Sequence, residues 1–382
     1  MRHTQRPSLN HKQCYNESLM AQIQIVWKNM CACSRASTNR SPKLIHHTTD
    51  RSFHAIPLRK YLSCYNPKTF SIWSSTRPNS GPFKMDSYYE TIDSLKANDP
   101  GFVHLELQGF SVPSEYDPYD LIRAIRSNST VRSVEIWKEF LMNLTIEQGR
   151  KLFEAIGDLP FCEALFCDFP NPRDGFPLQL HALTCVLTGS SPLKTLSLRN
   201  IVLSRHEQEV SEALQRHRYL REFQVKNLLL VDRKITLDPL LNALACIPTL
   251  RVVEIRMKRR QSGALTIGPF RNLCQSKSLI ILKLWQVKLT EELAVLMADA
   301  LKSNTRLKAL TLFDCNLTRN GYVALSHMLK VNSTLRELQL YDEEMDDTCY
   351  MAITSGLERN SSLTALTMQP LVPVYPYAAV TK

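Results

Sequence analysis

Three large rings recur at equal spacing in the C-terminal half of the chain: Trp285, Phe313 and Tyr341 stand 28 residues apart. Three cations, Arg199, Lys226 and Arg256, hold the corresponding place in earlier segments. Side chains of these types make and break no bonds by themselves. Gathered on one face they form a recognition surface, in which rings anchor a partner by burying apolar area and cations steer and select an acidic one. These six are the candidate partner-binding residues. The competing use of such rings is structural, because aromatic neighbours on adjacent strands stack and stabilise a sheet. Signatures of catalysis are lacking. There is no phosphate loop of the Gly-x-x-x-x-Gly-Lys type, no dinucleotide glycine fingerprint and no His-Glu-x-x-His. His104, His181, His206, His217 and His327 are dispersed, and no Cys-x-x-Cys occurs. The expectation is a non-enzymatic protein with no catalytic residue, no metal site and no cofactor.

The six residues share a face only if something repeats beneath them. Leu279-x-x-Leu282-x-Leu284, Leu307-x-x-Leu310-x-Leu312 and Leu335-x-x-Leu338-x-Leu340 open three copies of one pattern. Related openings stand at 102, 131, 162, 193, 220 and 250 before them and at 363 after them, making ten copies at intervals of 27 to 31 residues. Within an opening the apolar residues alternate, which predicts a short strand with one buried face. Met297, Leu325 and Ile353, then Leu301, Leu329 and Leu357, recur in phase behind the openings. They predict a helix packed on the back of each strand. Each candidate residue lies six positions after its opening, so all six alternate with buried residues and face away from the core. The full column reads Gln108, Trp137, Asp168, Arg199, Lys226, Arg256, Trp285, Phe313, Tyr341, Gln369. Beside it Glu106 and Glu135 lie near the first copies, and Glu254 and Lys283 near the middle. Asn304, Asn332 and Asn360, each three residues before an opening, suit a helix C-cap in the left-handed conformation. In the third copy Pro170, Pro172 and Pro177 interrupt the pattern, so its register could slip by one.

Leu307-x-x-Leu310-x-Leu312-x-x-Cys315-x-Leu317 resembles the leucine-rich repeat pattern, Cys/Asn slot included. The period and the run Asn304-Thr305-Arg306-Leu307 resemble the ribonuclease-inhibitor-like class. That class includes ribonuclease inhibitor, the GTPase-activating protein of Ran and the repeat region of NOD-like receptors. The resemblance implies an α/β solenoid, a curved horseshoe with parallel strands on the concave side and helices on the convex side. One departure stands out. Only Cys315 fills the Cys/Asn slot, the others holding residues such as Ile201, Leu228 and Val287, so apolar packing is expected to replace the slot's hydrogen bonds.

The net charge of +11 is unevenly placed. Residues 1–85 hold thirteen Lys/Arg and two acids, so the remaining 34 basic and 34 acidic side chains balance. Rich in Ser, Asn and Pro and without amphipathic period, residues 1–85 are expected to be a disordered basic arm or transit segment, or an extension upstream of a start at Met85. Residues 86–369 form the expected repeat domain with an N-terminal cap helix over 86–101, and 370–382 a Pro-rich tail that covers the open end of the last repeat or meets a proline-binding module. Arg256, Lys258, Arg259 and Arg260 form a second basic cluster at a strand-to-loop edge. The eleven cysteines are expected as reduced, largely buried thiols. The Asn-x-Ser/Thr triplets at Asn128, Asn143, Asn316 and Asn332 are expected as repeat turns and not glycan sites. Together these point to an intracellular protein, cytoplasmic or nuclear, with organelle import through residues 1–85 as an alternative. The expected function is a protein-interaction module or scaffold binding a partner protein on the concave face, with no small-molecule substrate and no membrane. The alternatives are regulation of a small GTPase, implied by the resemblance alone, and nucleic-acid contact through the basic arm.

Overall fold

The computed structural model describes residues 86–108, 117–170, 179–203, 207–230, 235–261, 265–343 and 345–371. The basic segment 1–85, the slot residue Phe110, Pro172, Pro177 and the tail from Val372 lie outside the described residues. Helix α1 (Asp86–Ala97) precedes β1 (His104–Leu107), α2 (Pro118–Ser127), β2 (Ser133–Ile136), a one-turn α3 (Lys138–Leu141) and α4 (Ile146–Gly157). Next come β3 (Ala164–Asp168), α5 (Gln179–Thr188), β4 (Thr195–Arg199), a two-residue β5 (Val202–Leu203), α6 (Glu207–Arg216), β6 (Glu222–Leu230) and α7 (Asp238–Cys246). The chain continues through β7 (Val252–Gln261), α8 (Ile267–Cys274), β8 (Ile281–Val287), α9 (Glu291–Lys302) and β9 (Ala309–Phe313). It ends in α10 (Arg319–Val331), β10 (Glu337–Asp342), α11 (Asp347–Leu357) and β11 (Ala365–Pro370).

One sheet carries ten of these strands in chain order, all parallel, with β5 beside β6. Alternation fixes the register. Leu105 pairs with Val134, Val134 with Leu165, Leu165 with Leu196, and so on to Leu338 with Leu366. The fourth residue of every copy is thus aligned across the sheet. The third copy holds this register despite Pro170, because its Leu165 and Cys167 still fill the two buried strand positions. Successive main helices pack against one another on the other side of the sheet. Met297, Leu325 and Ile353 are fully buried there. The described residues therefore form a leucine-rich repeat solenoid, their apolar layer lying between a concave sheet and convex helices.

The strand starts are locked by a ladder that runs from copy to copy. The carbonyl after each opening residue accepts two N–H groups of the next copy: Lys308 O, for example, takes Arg336 N at 2.8 Å and Glu337 N at 2.9 Å. Asparagine reinforces this ladder. Asn332 Nδ2 donates to Leu301 O at 2.6 Å, at the end of the preceding copy's helix, while its Oδ1 accepts from Thr334 N at 2.9 Å and Leu335 N at 2.8 Å. Asn128, Asn304 and Asn360 repeat the arrangement toward Leu95, Cys274 and Leu329. These asparagines are not left-handed caps. Asn332 has φ −74° and ψ 124°, extended backbone that aims the side chain across to the neighbouring copy. Asn128 and Asn332 are buried within this ladder, so their triplets serve the turn, as their placement implied.

Among the described residues, four of the six non-glycine residues with left-handed backbone stand one step past the column that faces away from the core. Asn200, Asn227, Gln286 and Asp314 have φ between 56° and 58°; Asn200 and Asp314 turn the chain off β4 and β9, whereas Asn227 and Gln286 lie within β6 and β8. Helix starts are also in phase: Thr290, Thr318 and Asp346 cap α9, α10 and α11 by accepting from Leu293 N, Gly321 N and Cys349 N. Gly356 lets α11 approach α10, since a Cβ there would lie 2.8 Å from Ser326 O. In the Cys/Asn slot Ile201, Leu228 and Val287 are buried, and Cys315 Sγ lies 3.4 Å from Leu284 O. Apolar packing has replaced the polar slot in those copies. Among the described cysteines five are buried, Cys185 is half-buried and Cys246 is exposed. Burial pushes the thiols of Cys162 and Cys274 up to about 12. No helix among the described residues is long and apolar enough to cross a membrane.

Two substitutions test this account. Leu310→Ala leaves a hole at a position with no alternative filler and should lower stability by about 2–5 kcal/mol. Asn332→Ala leaves a buried carbonyl and two N–H groups without their partner and should lower stability by about 1–3 kcal/mol. Urea denaturation measures both; a neutral Asn332→Ala would mean the backbone ladder alone holds the register.

Candidate interaction surface

All six candidate residues lie on the concave face and all are half-buried. Their neighbours in the sheet explain the partial cover. In-register pairing sets Trp285 beside Phe313 and Phe313 beside Tyr341. The first two rings stack with centroids 4.4 Å apart and planes 26° apart, and the next pair lies at 5.3 Å and 39°. Arg256, paired with Trp285 in the ladder, sets its guanidinium carbon 4.8 Å from that ring's centroid. Four side chains from β7 to β10 therefore form one continuous stack.

The other two candidates belong to different local groups. Arg199 lies 5.2 Å over the ring of Phe166, which itself contacts Trp137 at 5.6 Å. This second aromatic group, spread over two columns, with Trp137 just past β2 and Phe166 in β3, is not apparent from any single column of the sequence. Lys226 Nζ lies 4.0 Å from Glu254, whose other oxygen lies 3.9 Å from Lys283 Nζ. The ladder between β6 and β7 shifts register after Val225, at the step where Lys226 and Arg256 would face each other. Asn227, left-handed at that point, is the local cause. Neither Trp137 nor Trp285 finds an acceptor among the described residues for its covered indole N–H.

The charges are graded along the sheet. Copies four to seven bring Arg199, Lys226, Arg256 and Lys283 together around Glu254 and Glu222. Lys226 is pushed down by burial and by the neighbouring Arg199, Arg256 and Lys283, with Glu254 pulling the other way. Burial raises Glu222, offset by Lys283. At the N-terminal end the sign reverses. Glu135, its side chain only 13% exposed, sits 4.0 Å from His104 Nε2. Burial, then repulsion from Glu106, pushes its carboxyl up to about 7 against the pull of Arg199. His104 is lowered by burial, with Glu106 opposing. Asp168 is raised by burial and held back by the hydrogen bond from Asn200 Nδ2 at 2.6 Å and by Arg199. The second basic cluster lies differently from its expected place: β7 runs through Gln261, so Lys258, Arg259 and Arg260 are strand residues rather than a strand-to-loop edge. Among the described residues no group of three or more His, Cys, Asp or Glu is placed to hold a metal ion.

No family model matches the chain, and no curated protein matches it. Solved structures that the chain matches include the leucine-rich repeat-containing protein LegL7 from Legionella pneumophila. It shares 14% identity over 77% of this chain and 89% of that one, with a TM-score of 0.44. Another is TLR13 in its complex with ssRNA13, at 14% identity over 71% of this chain, with a TM-score of 0.41. The chain spans only 36% of that structure's length. A third is the complex of Rad7 and Elc1 in yeast, at 13% identity over 74% and 83% of the two chains, with a TM-score of 0.28.

The acidic end carries a pH prediction. Below about pH 4.5 Glu135 is protonated in both the folded and the unfolded chain and has no effect on their balance. Between that point and about 7 the unfolded chain gives up this proton first, so rising pH removes stability. Above about 7 the loss is complete. Glu135→Gln should remove this slope and gain on the order of 2 kcal/mol over the parent at pH 8 relative to pH 5. Urea denaturation of both proteins at the two pH values checks it, and parallel profiles would show that Glu135 ionises freely in the folded state.

Proposed function

We propose that residues 86–369 work as a non-enzymatic protein-interaction module whose partner docks on the concave face of copies four to nine. The observation that carries this reading is the continuous stack of Arg256, Trp285, Phe313 and Tyr341 beside a cluster of cations. The fold requires polar or small residues on that face no less readily than rings, and three successive rings concentrate anchor types that dominate protein interfaces.

The stack also narrows the partner's chemistry. Ring faces are taken up by one another, so outward from the sheet the strip offers ring edges. Aromatic edges carry the positive part of the ring quadrupole and favour oxygen acceptors. Arg199, Lys226 and Arg256 add full positive charge next to them. The complementary partner presents an apolar side chain flanked by carboxylates and carbonyl oxygens. Nucleobase stacking is disfavoured, since it needs free ring faces. A GTPase-regulating role remains the competing reading, resting on the family resemblance; stimulation of nucleotide hydrolysis by purified small GTPases would reverse the ranking.

Trp285→Ala should weaken partner binding by about 2 kcal/mol or more, roughly thirtyfold. Because its ring is stacked, the substitution should also lower folding stability by about 1 kcal/mol. Arg256→Glu should slow association and lessen its salt dependence. The decisive comparison is affinity capture with the parent protein, the Trp285→Ala/Tyr341→Ala variant and a convex-face control, Val323→Asp, all shown to be folded by circular dichroism. Partners held by the parent and the control should be lost by the double variant; equal recovery by all three would remove this surface from consideration.

A further inference from the structure

The connections that run from helix end to strand start line one rim of the solenoid, and in copies five to nine their charge has a single sign. Residues 215–221, 246–251, 275–280, 302–308 and 330–336 hold ten Lys/Arg and no Asp or Glu. The opposite connections of the last three copies, residues 286–292, 314–319 and 342–347, hold eight acids and two Lys/Arg. Charge that balances over the repeat body is therefore sorted between its two rims. Helix dipoles account for part of this, since cations suit helix C-termini, but that effect fades beyond the last turn. Of the ten cations Arg216, Lys302 and Lys330 stand in last turns. The others need another reason.

The register ladder puts several of them in line. Arg251 N donates to Arg221 O at 2.7 Å. Ile280 N then donates to Arg251 O, Lys308 N to Ile280 O and Arg336 N to Lys308 O, each at 2.8 Å. Across the five strands from β6 to β10 this row is roughly 19 Å long. The ladder commits only backbone. The side chains of Arg221, Arg251 and Lys308, like those of Arg218, Lys277 and Arg306 beside them, are exposed. No carboxylate among the described residues pairs with any of these six. Like charges set side by side across strands work against folding, so the fold gains nothing from the row. At its N-terminal end the row meets a ring. Tyr219, between Arg218 and Arg221, is 57% exposed and touches the His217 ring in a T-shaped contact at 6.4 Å. Phe161, at the same place two copies earlier, is 48% exposed.

We propose that this rim is a second binding surface, separate from the concave site, and that its ligand is a single-stranded nucleic acid lying along copies five to nine. The chemistry recognised is a phosphodiester backbone with unpaired bases. A row of cations without acids suits a polymer that carries the same charge at every step, because each phosphate neutralised releases counterions whatever the sequence. The concave cations differ. Glu254 and Glu222 stand among them, and a mixed pattern selects the mixed surface of a folded protein. Tyr219 supplies a ring on which an unpaired base can stack; in a duplex the bases are already stacked on one another.

Fluorescence anisotropy of the full chain with labelled oligouridylate and oligothymidylate of about twenty nucleotides, at about 50 and about 200 mM salt, tests this. The two sugars tell RNA from DNA, and binding of either supports the proposal. Arg221→Gln/Arg251→Gln/Lys308→Gln should weaken binding about tenfold or more at the lower salt. It should also flatten the slope of log affinity against log salt by about 2, close to ~0.7 for each lost contact. Tyr219→Ala should weaken binding about tenfold and leave the slope as it is. Circular dichroism checks that both variants are folded. No binding by the parent, or parent-like binding by either variant, would overturn the proposal; in the triple variant it would assign the binding to residues 1–85. Loss of binding by Lys226→Gln/Arg256→Gln with the rim variants unaffected would overturn it by moving the site to the concave face. Displacement of the oligonucleotide by polyglutamate of equal charge would overturn it by making an acidic protein segment the ligand.

Discussion

The register of the whole sheet depends on how each copy is tied to the one before it. The tie is a pair of hydrogen-bond systems at the strand start. One is pure backbone and recurs from Val103 O, which receives Arg132 N and Ser133 N, to Arg336 O, which receives Thr364 N and Ala365 N. The other uses asparagine to join a helix end in one copy to the strand start in the next. An amide side chain suits this place because it offers both donors and an acceptor, and each group it satisfies would otherwise be buried without a partner. Where asparagine is absent, hydroxyls take part of the load. Thr249 Oγ1 donates to Leu220 O, and Ser278 Oγ to Ile247 O. His217 takes the place with its Nδ1 unpartnered among the described residues, and the middle copies are the ones whose spacing varies most.

Locking the strand starts has a consequence on the opposite face. Residues the same distance from the tie come into line across the sheet, a strand spacing apart. For rings this spacing is close to stacking distance, so Trp285, Phe313 and Tyr341 fall into contact without further adjustment. For cations it is uncomfortably close, and Glu254 between Lys226 and Lys283 answers that crowding. Structural and recognition roles for the ring strip are therefore not exclusive. A strip whose rings already hold one another in place has little side-chain freedom left to lose when a partner arrives.

How much of this could be read from the sequence depends on the length scale. Alternation of Leu, Val and Ile at the openings specified the strand register in nine copies; in the third the prolines left a one-residue slip open, and the structure keeps the common register because a slip would turn Leu165 and Cys167 out of the core. The recurrent asparagines were visible, but their role was not. Spacing within one copy suggests a cap on the nearest helix, whereas the true partner of Asn332 is Leu301 O, 31 residues away. The depth of the rings was likewise hidden, since period-two patterning says which face a residue is on and not how far its neighbours cover it. The pairing of Trp137 with Phe166 crosses columns and has no signature in either one. Nor does a column show that Glu135 is crowded by burial and by Glu106, which is what moves its proton affinity.

The grading of the concave face bears on how a partner would lie on it. Acids gather at copies one to three, cations at four to seven, and rings at seven to nine. A partner with carboxylates over the cations and an apolar residue over the rings fits in one direction only. Reversed, it would set its carboxylates over rings already committed to one another. Slid toward the N-terminal end, it would meet Glu106, Glu135 and Asp168, where burial already penalises negative charge. For such a partner, like-charge contact there would work against wrong registers, just as the cations would favour the right one. An extended surface built from repeats offers a partner many staggered positions, and on the proposed docking face it is the unevenness of the charge along the column, imposed on an even geometry, that would select among them.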